Sequence, residues 1–536
     1  MTGNTTESRP ALRSHHGWKT PNLFSMIVIL LLAVNYFSPF ADLDYTWQER
    51  TGERILQSGK LRTTDAFSYT IAGRRVPDFE WLYEVTLAVI WNAFGYGGLK
   101  LLRTLCVGAP LLLMALHLRR SGVRWRGIAL ALTIAVVVLM GTWNLRPLYC
   151  TTISLLVVAC RLHDHCTGRR SLPLWLPLIL LLWANVHPGV IVGQALLIGA
   201  IGWEWLNRLL RLNSPLDRRG LRRLTWIGGL GLAATFLSPD PIERLTYPFQ
   251  PGVHHPIMRS FVEMRPLCAF VVEAPFTFAL VYVVAAVALW TVVRRFRQYR
   301  LWEIFLLLGL AVLGNAAFRS VQDWLLVMLA LCAPHVARLL RESAASRRKW
   351  SAAALLHLDR GLKRVFHLPA LRVQGWPVAA LAVLAVTSLL PPLSRAMPIQ
   401  ESADWPAAVV DWIDAHGVSG RFFADPNDGA YLTWRLHDRA RCYADTRGFF
   451  FPPELLEDCQ YLPQLTLDWP DRLRRVESYD TDYFLLKTEG PHGALWRAIE
   501  PHISDPLYRD QSVVLLRSDQ VRAGLAAWEQ QLAANP

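Results

Sequence analysis

Eleven long apolar runs fall within the first three-quarters of the chain, at 23–40, 99–118, 127–143, 148–160, 172–186, 189–206, 224–239, 270–293, 301–315, 321–337 and 376–393. Runs of this length bury themselves in lipid or in one another. Several are nearer 15 residues than the ~20 that a lone crossing helix needs, which suits helices packed inside a bundle. With 52% hydrophobic residues, 18% charged residues and 22 Trp, the chain is neither disordered nor a soluble basic protein. These features predict a polytopic α-helical membrane protein of about eleven transmembrane helices. No small-residue cleavage site follows the first run, so it reads as an anchor and not a removed signal.

The loops give the orientation. With the N-terminus in the cytoplasm, the inside loops carry 26 Lys and Arg and the outside loops 11, six of them in the long first outside loop. Such a bias is the positive-inside signature and places the region after the last run on the outer side. The formal charge of +14 is then a topological signal, with no nucleic-acid partner implied. Segment 81–96 reads as an amphipathic helix at the outer interface, not a twelfth crossing. The organisation predicted is a cytoplasmic tail at 1–22, a transmembrane domain at 23–398 that includes a first outside loop at 41–98, and a periplasmic α/β domain at 399–536.

That last region is net acidic and alternates helix and strand patterns. Helical stretches at 405–416, 429–436 and 493–499 interleave with strand-like runs at 421–424, 441–444, 483–487, 507–508 and 512–517. Cys442 and Cys459 lie in this oxidising compartment, where a bridge between them is chemically permitted. His163, Asp164, His165 and Cys166 have a metal-like density, but they fall in an arginine-flanked inside loop and read as a solvated segment. Asp428 is expected to cap the helix after 421–424.

The first outside loop begins as the first span ends and places Asp42 and Asp44 at the membrane boundary. Carboxylates there either end a helix in water, or take a proton from an acceptor hydroxyl or hold a divalent metal beside a lipid-borne substrate. The loop continues as D-x-D-x-x-W, G-E-x-I-L-x-x-G, T-x-D-x-F-S-Y-T-x-x-G (63–73) and P-x-x-E-W-L-x-E (77–84). Together with W-A-N-V-H-P-G (183–189), D-P-N-D-G-A-Y-L-T-W (425–434) and D-T-R (445–447), the chain resembles the bacterial members of the GT-C glycosyltransferase superfamily. The resemblance implies a polyprenyl-phosphate-linked sugar donor, a glycan, lipid or protein acceptor, and an essential acid in the first outside loop.

A lipid-linked sugar holds its phosphate at headgroup level, so a base belongs at the outer end of a span. Asp44 fits that place, with Asp42 as the close alternative, and either could hold a divalent metal. Cations for the departing phosphate are Arg146, Arg265 and Arg319, with Arg259 and the histidines His187, His254 and His255 as further choices. Arg146 and Arg319 are each the lone cation of a short loop, where the bland reading is snorkelling to headgroups. Glu80 and Glu84 would share a helix face able to touch a sugar or to orient the helix. Asp65 belongs by default to a turn.

Two other functions fit the same chain. A transporter or flippase predicts mid-span charges and repeated halves, whereas Lys100, Arg103, Glu204, Glu273, Glu303 and Asp323 all lie near span ends and no halves repeat. A noncatalytic scaffold of envelope polysaccharide assembly would use the acidic domain as a binding module. The sequence has no Walker-type phosphate loop.

Overall fold

The computed structural model of the chain describes residues 23–40, 43–61, 63–142, 144–211, 216–345, 376–390 and 405–534. Every apolar run lies largely within a helix. In order the helices are α1 (Leu23–Phe37), α2 (Asp44–Ser58), α3 (Trp81–Arg120), α4 (Trp125–Leu139), α5 (Leu148–Cys166), α6 (Leu176–Val186), α7 (Val190–Leu209), α8 (Arg218–Ala234), α9 (Pro241–Thr246), α10 (Leu267–Glu273), α11 (Pro275–Arg294), α12 (Leu301–Ala316), α13 (Val321–Ala345) and α14 (Trp376–Leu389). Four stretches among the described residues are long and apolar enough to cross a membrane: Trp81–Arg120, Val190–Leu209, Pro275–Arg294 and Phe318–Glu342. Others are apolar but shorter. They bury leucine, valine and alanine in one core that runs from Met114 on α3 to Cys332 on α13.

Segment 81–94 is not a free interfacial helix. It joins the following span through Gly95 (φ 54°, ψ −145°), a backbone conformation essentially confined to glycine. It packs on α2 so closely that a Cβ added at Gly52 would lie 2.0 Å from the Glu84 carbonyl oxygen. Arg103, one turn into the span proper, donates to Pro39 O at 3.0 Å, to Ser38 O at 2.8 Å and to Asn35 O. Those carbonyls end α1, so a buried cation satisfies groups that helix geometry leaves open. The first span and the first loop are thereby tied to α3.

One expectation fails at the other end of the bundle. His163 to Cys166 are not a solvated loop: α5 runs past its apolar run to Cys166 and buries all four. His163 Nδ1 meets Glu303 Oε1 at 2.5 Å, and His165 Nε2 meets Gly220 O at 3.0 Å. Hydrogen bonds between helices replace the water that the flanking arginines suggested. Cys442 and Cys459 are both free and buried; the Cys442 Sγ lies 3.5 Å from Thr433 Oγ1, and burial pushes both thiols up.

Residues 405–534 form a five-stranded sheet with helices around it: β1 (Gly420–Phe423), β2 (Ala440–Cys442), β3 (Tyr483–Lys487), β4 (Tyr508–Arg509) and β5 (Val513–Arg517). Strand order is β2-β1-β3-β5-β4, parallel across β2, β1 and β3 and antiparallel thereafter. Asp425, not Asp428, caps the helix after β1, accepting from Asn427 N at 2.9 Å. Asp428 lies inside that helix, its carboxylate 2.7 Å from Lys487 Nζ.

The first loop is stapled to this sheet. Ser68 bridges alongside Cys442, and Tyr69 N donates to Cys442 O at 3.1 Å. Beneath them Arg447 Nη2 meets Asp65 Oδ1 at 2.7 Å and Asp445 Oδ2 at 2.5 Å, all three side chains essentially without exposure. The second Asp65 oxygen accepts from Ser68 N at 3.0 Å and Ser68 Oγ at 2.9 Å, so the turn role expected of Asp65 and an ion pair coexist. Removing Asp65 leaves Arg447 on Asp445 alone and strips Ser68 N and Oγ of their acceptor, buried groups that cost about 1–3 kcal/mol each when left unmet. D65A should therefore lower the melting temperature of the purified protein and expose the 43–80 loop to protease. Unchanged melting and cleavage would show that the staple is dispensable.

Candidate active site

Four charged side chains from four connections meet where the bundle faces the sheet domain. Asp44 opens α2, so its carboxylate sits at a helix N-terminus, where negative charge is favoured. Arg146 precedes α5 in a connection ended by Pro147, Glu263 belongs to the 3₁₀ turn Val262–Met264, and Arg319 to the 3₁₀ turn Phe318–Ser320. Arg146 Nη2 lies 3.0 Å from Asp44 Oδ2, while Arg146 Nη1 also pairs with Glu263. Glu263 Oε1 in turn lies 3.9 Å from Arg319 Nη1, and the Arg319 guanidinium stands 5.2 Å over the Phe449 ring. Signs alternate along this row, so each charge is compensated by its neighbours.

Two adjoining cavities share the row as a common wall. The larger, about 400 Å³, reaches toward the bundle past Ile191, Val192, Leu310 and Leu313, and the smaller, about 300 Å³, reaches toward the sheet domain past Asp425, Asn427 and Gln460. Asp44, Arg146, Glu263 and Arg319 line both.

A neutral hydrogen-bond chain orders the floor of the larger cavity. Trp183 Nε1 donates to Thr151 Oγ1 at 2.8 Å, which leaves the Thr151 hydroxyl to donate to His187 Nδ1 at 2.7 Å. Gly189 N donates to the same nitrogen at 3.0 Å. With Nδ1 accepting, the ring proton is assigned to Nε2, which faces Glu80 Oε1 at 3.7 Å. Gly189 is required by this approach, because an added Cβ would lie 2.5 Å from Thr151 Oγ1. Burial pulls the His187 ring down to about 3, and burial pushes the Glu80 carboxyl up to about 8 despite a 2.9 Å hydrogen bond from Gln48 Nε2. The pair is therefore neutral near pH 7 and is not an ion pair. Glu80 keeps 19% side-chain exposure, but it lines the cavity, not bulk water.

The structure thus brings together Asp44, Arg146, Arg319, His187 and Glu80 of the expected set. Arg146 and Arg319 line the cavities and pair with acids, unlike chains that snorkel. Arg265 does not reach either cavity: it pairs with Glu273 and lies 5.0 Å over the Phe270 ring. Arg259, His254 and His255 line neither cavity, and Asp42 lies outside the described residues. Sequence reasoning missed Glu263. It also missed Asp323, whose Oδ1 accepts from Thr152 Oγ1 at 2.5 Å in the wall of the larger cavity. Among the described residues no group of three His, Cys, Asp or Glu could hold a metal ion, and Asp44 holds a guanidinium.

Glu80 keeps its proton to a higher pH when folded than when unfolded. Its contribution to stability is complete below about pH 4.5 and is lost as pH rises through about 8. Melting temperatures of wild type and E80Q, which mimics the protonated acid, should diverge as pH is raised from about 6 to about 9, the wild type falling further. Parallel curves would mean that Glu80 titrates as an ordinary carboxyl.

No protein-family model and no curated protein matches the chain. Among solved structures it is similar to the apo oligosaccharyltransferase of Archaeoglobus fulgidus, at 11% identity and a TM-score of 0.54 over 87% of this chain and 69% of that one. The same organism's oligosaccharyltransferase AglB, in complex with an inhibitory peptide and a dolichol-phosphate, aligns at 11% identity and a TM-score of 0.52 over 87% and 70%. ArnT from Cupriavidus metallidurans bound to undecaprenyl phosphate aligns at 14% identity and a TM-score of 0.49 over 92% and 98%. The chain shares its fold with these oligosaccharyltransferases.

Proposed function

We propose that this chain transfers a sugar from a polyprenyl-phosphate-linked donor to an acceptor hydroxyl at the outer face of a bacterial inner membrane. In this reading all eleven apolar helices cross, the N-terminus is cytoplasmic and residues 399–536 are periplasmic. The observation that carries it is the Asp44–Arg146 pair in a wall between two cavities, on a fold shared with a structure that holds a dolichol-phosphate.

The larger cavity takes the donor, its apolar end receiving the first isoprene units and Arg146 and Arg319 receiving the phosphate. Glu263 already sits between those arginines as an anion, so an arriving phosphate exchanges with a carboxylate and meets cations already aimed at it. Drawing Arg146 toward the phosphate loosens it from Asp44. Asp44 then accepts the acceptor's hydroxyl proton as the oxygen bonds the anomeric carbon. The bond from that carbon to the phosphate oxygen breaks, and its electron pair leaves on the polyprenyl phosphate, held by the two guanidinium groups. Neutral Glu80 and His187 offer O–H and N–H donors without adding charge beside the phosphate.

D44N should lower transfer by at least ~10²-fold while polyprenyl-phosphate binding persists, and R319A should weaken donor binding. The check is radiolabelled sugar transfer with the protein in nanodiscs, beside a direct lipid-binding measurement. Full transfer by D44N would remove Asp44 from the mechanism.

A further inference from the structure

The smaller cavity shows what it is built to hold, and this rests on the transferase reading above. Its wall carries Asn144, Asn427, Gln322, Gln460, Ser260 and Thr446: amides and hydroxyls that both donate and accept yet bear no charge. Its ions are committed elsewhere. Asp44, Arg146, Glu263 and Arg319 face one another. Asp425 Oδ1 accepts from Asn427 N at 2.9 Å and Asn427 Nδ2 at 3.0 Å. Thr446 Oγ1 is buried in the wall with no hydrogen-bond partner among the described residues, a group whose desolvation a ligand hydroxyl would offset.

We infer that the acceptor is the terminus of an uncharged glycan, recognised through its ring hydroxyls. A sugar hydroxyl donates and accepts at one atom, which matches those amides and hydroxyls, and Tyr149, Phe261 and Phe318 in the same wall offer aromatic faces for the C–H side of a sugar ring. An anionic glycan would bring its carboxylates against Asp425 and Asp44 with no cation left over. An extended peptide docking by strand addition would need the β2 edge, since residues following β1 and β2 line the cavity and none of β4 does, and Ser68 already lies alongside Cys442 there. A lipid acceptor needs a continuous apolar slot, and that character belongs to the larger cavity. A volume of about 300 Å³ lies at the small end of ligand pockets, enough for a chain end and not its length.

Binding can be read without the donor. Saturation-transfer NMR on the full chain in nanodiscs would compare neutral oligosaccharides of several stereochemistries with an oligogalacturonate and a Ser/Thr peptide. At least one neutral oligosaccharide should give signal, reduced fivefold or more in N427A, whose side chain is exposed. T446V should lose signal too, with melting unchanged or higher because no internal hydrogen bond is removed. Signal from the oligogalacturonate or the peptide alone, from none of the probes, or undiminished in either variant would overturn the inference. In a parallel assay, the lipid-linked donor consumed by hydrolysis with no neutral oligosaccharide modified would overturn the acceptor class and leave the transferase reading standing. Loss of donor binding altogether, with oligosaccharide binding intact, would strike the transferase reading instead.

Discussion

The guanidinium of Arg447, enclosed by Asp65 and Asp445, ties the first loop to the C-terminal domain, and the walls of both cavities follow from that tie. Burying a guanidinium costs several kcal/mol unless the remaining lone pairs and protons are satisfied. Here Asp65 is also held by Ser68, Asp445 Oδ1 accepts from Arg447 N at 2.9 Å, and Phe67 lies 5.0 Å from the guanidinium carbon. The same region adds a hydrogen bond from Trp434 Nε1 to Glu49 on α2 at 3.1 Å. Held from both sides, α2 presents Asp44 to Arg146.

Electrostatics then divides the junction. A row of alternating charges costs little to assemble at a half-buried surface, because each ion is compensated before any ligand arrives. Such a row also exchanges partners readily, since replacing the Glu263 carboxylate by another anion keeps the count of charges near both arginines. The neutral chain of Trp183, Thr151, His187 and Glu80 supplies polarity beside the row without disturbing that balance. Apolar helix ends close the larger cavity on one side, and amides of the sheet domain close the smaller on the other. The division of labour between lipid-borne and water-borne substrate thus follows from which layer supplies each wall.

Much of this was legible in residue order. The apolar runs became helices, and the strand at 483–487 fell on a short apolar run of the kind that reads as strand, because such patterns report local structure. Arg146 and Arg319 stood out as lone cations between apolar runs, and Asp44 as one of two carboxylates where the first run ends. Glu263 did not, since nothing local tells a carboxylate in a chain of 3₁₀ turns which distant arginine it will meet. The same holds for Arg447 with Asp65: both segments looked distinctive, but their pairing is tertiary. His163 to Cys166 misled for the opposite reason. Their arginine-rich flanks signalled water, whereas α5 continues and Glu303 of another helix supplies the partner.

The most direct test of the account is a cryo-EM structure of the full chain in nanodiscs with polyprenyl phosphate bound. The account predicts the phosphate between Arg146 and Arg319, Glu263 displaced from that place, and the isoprene chain running past Leu310 and Leu313. A phosphate bound elsewhere, with the row from Asp44 to Arg319 intact, would contradict it.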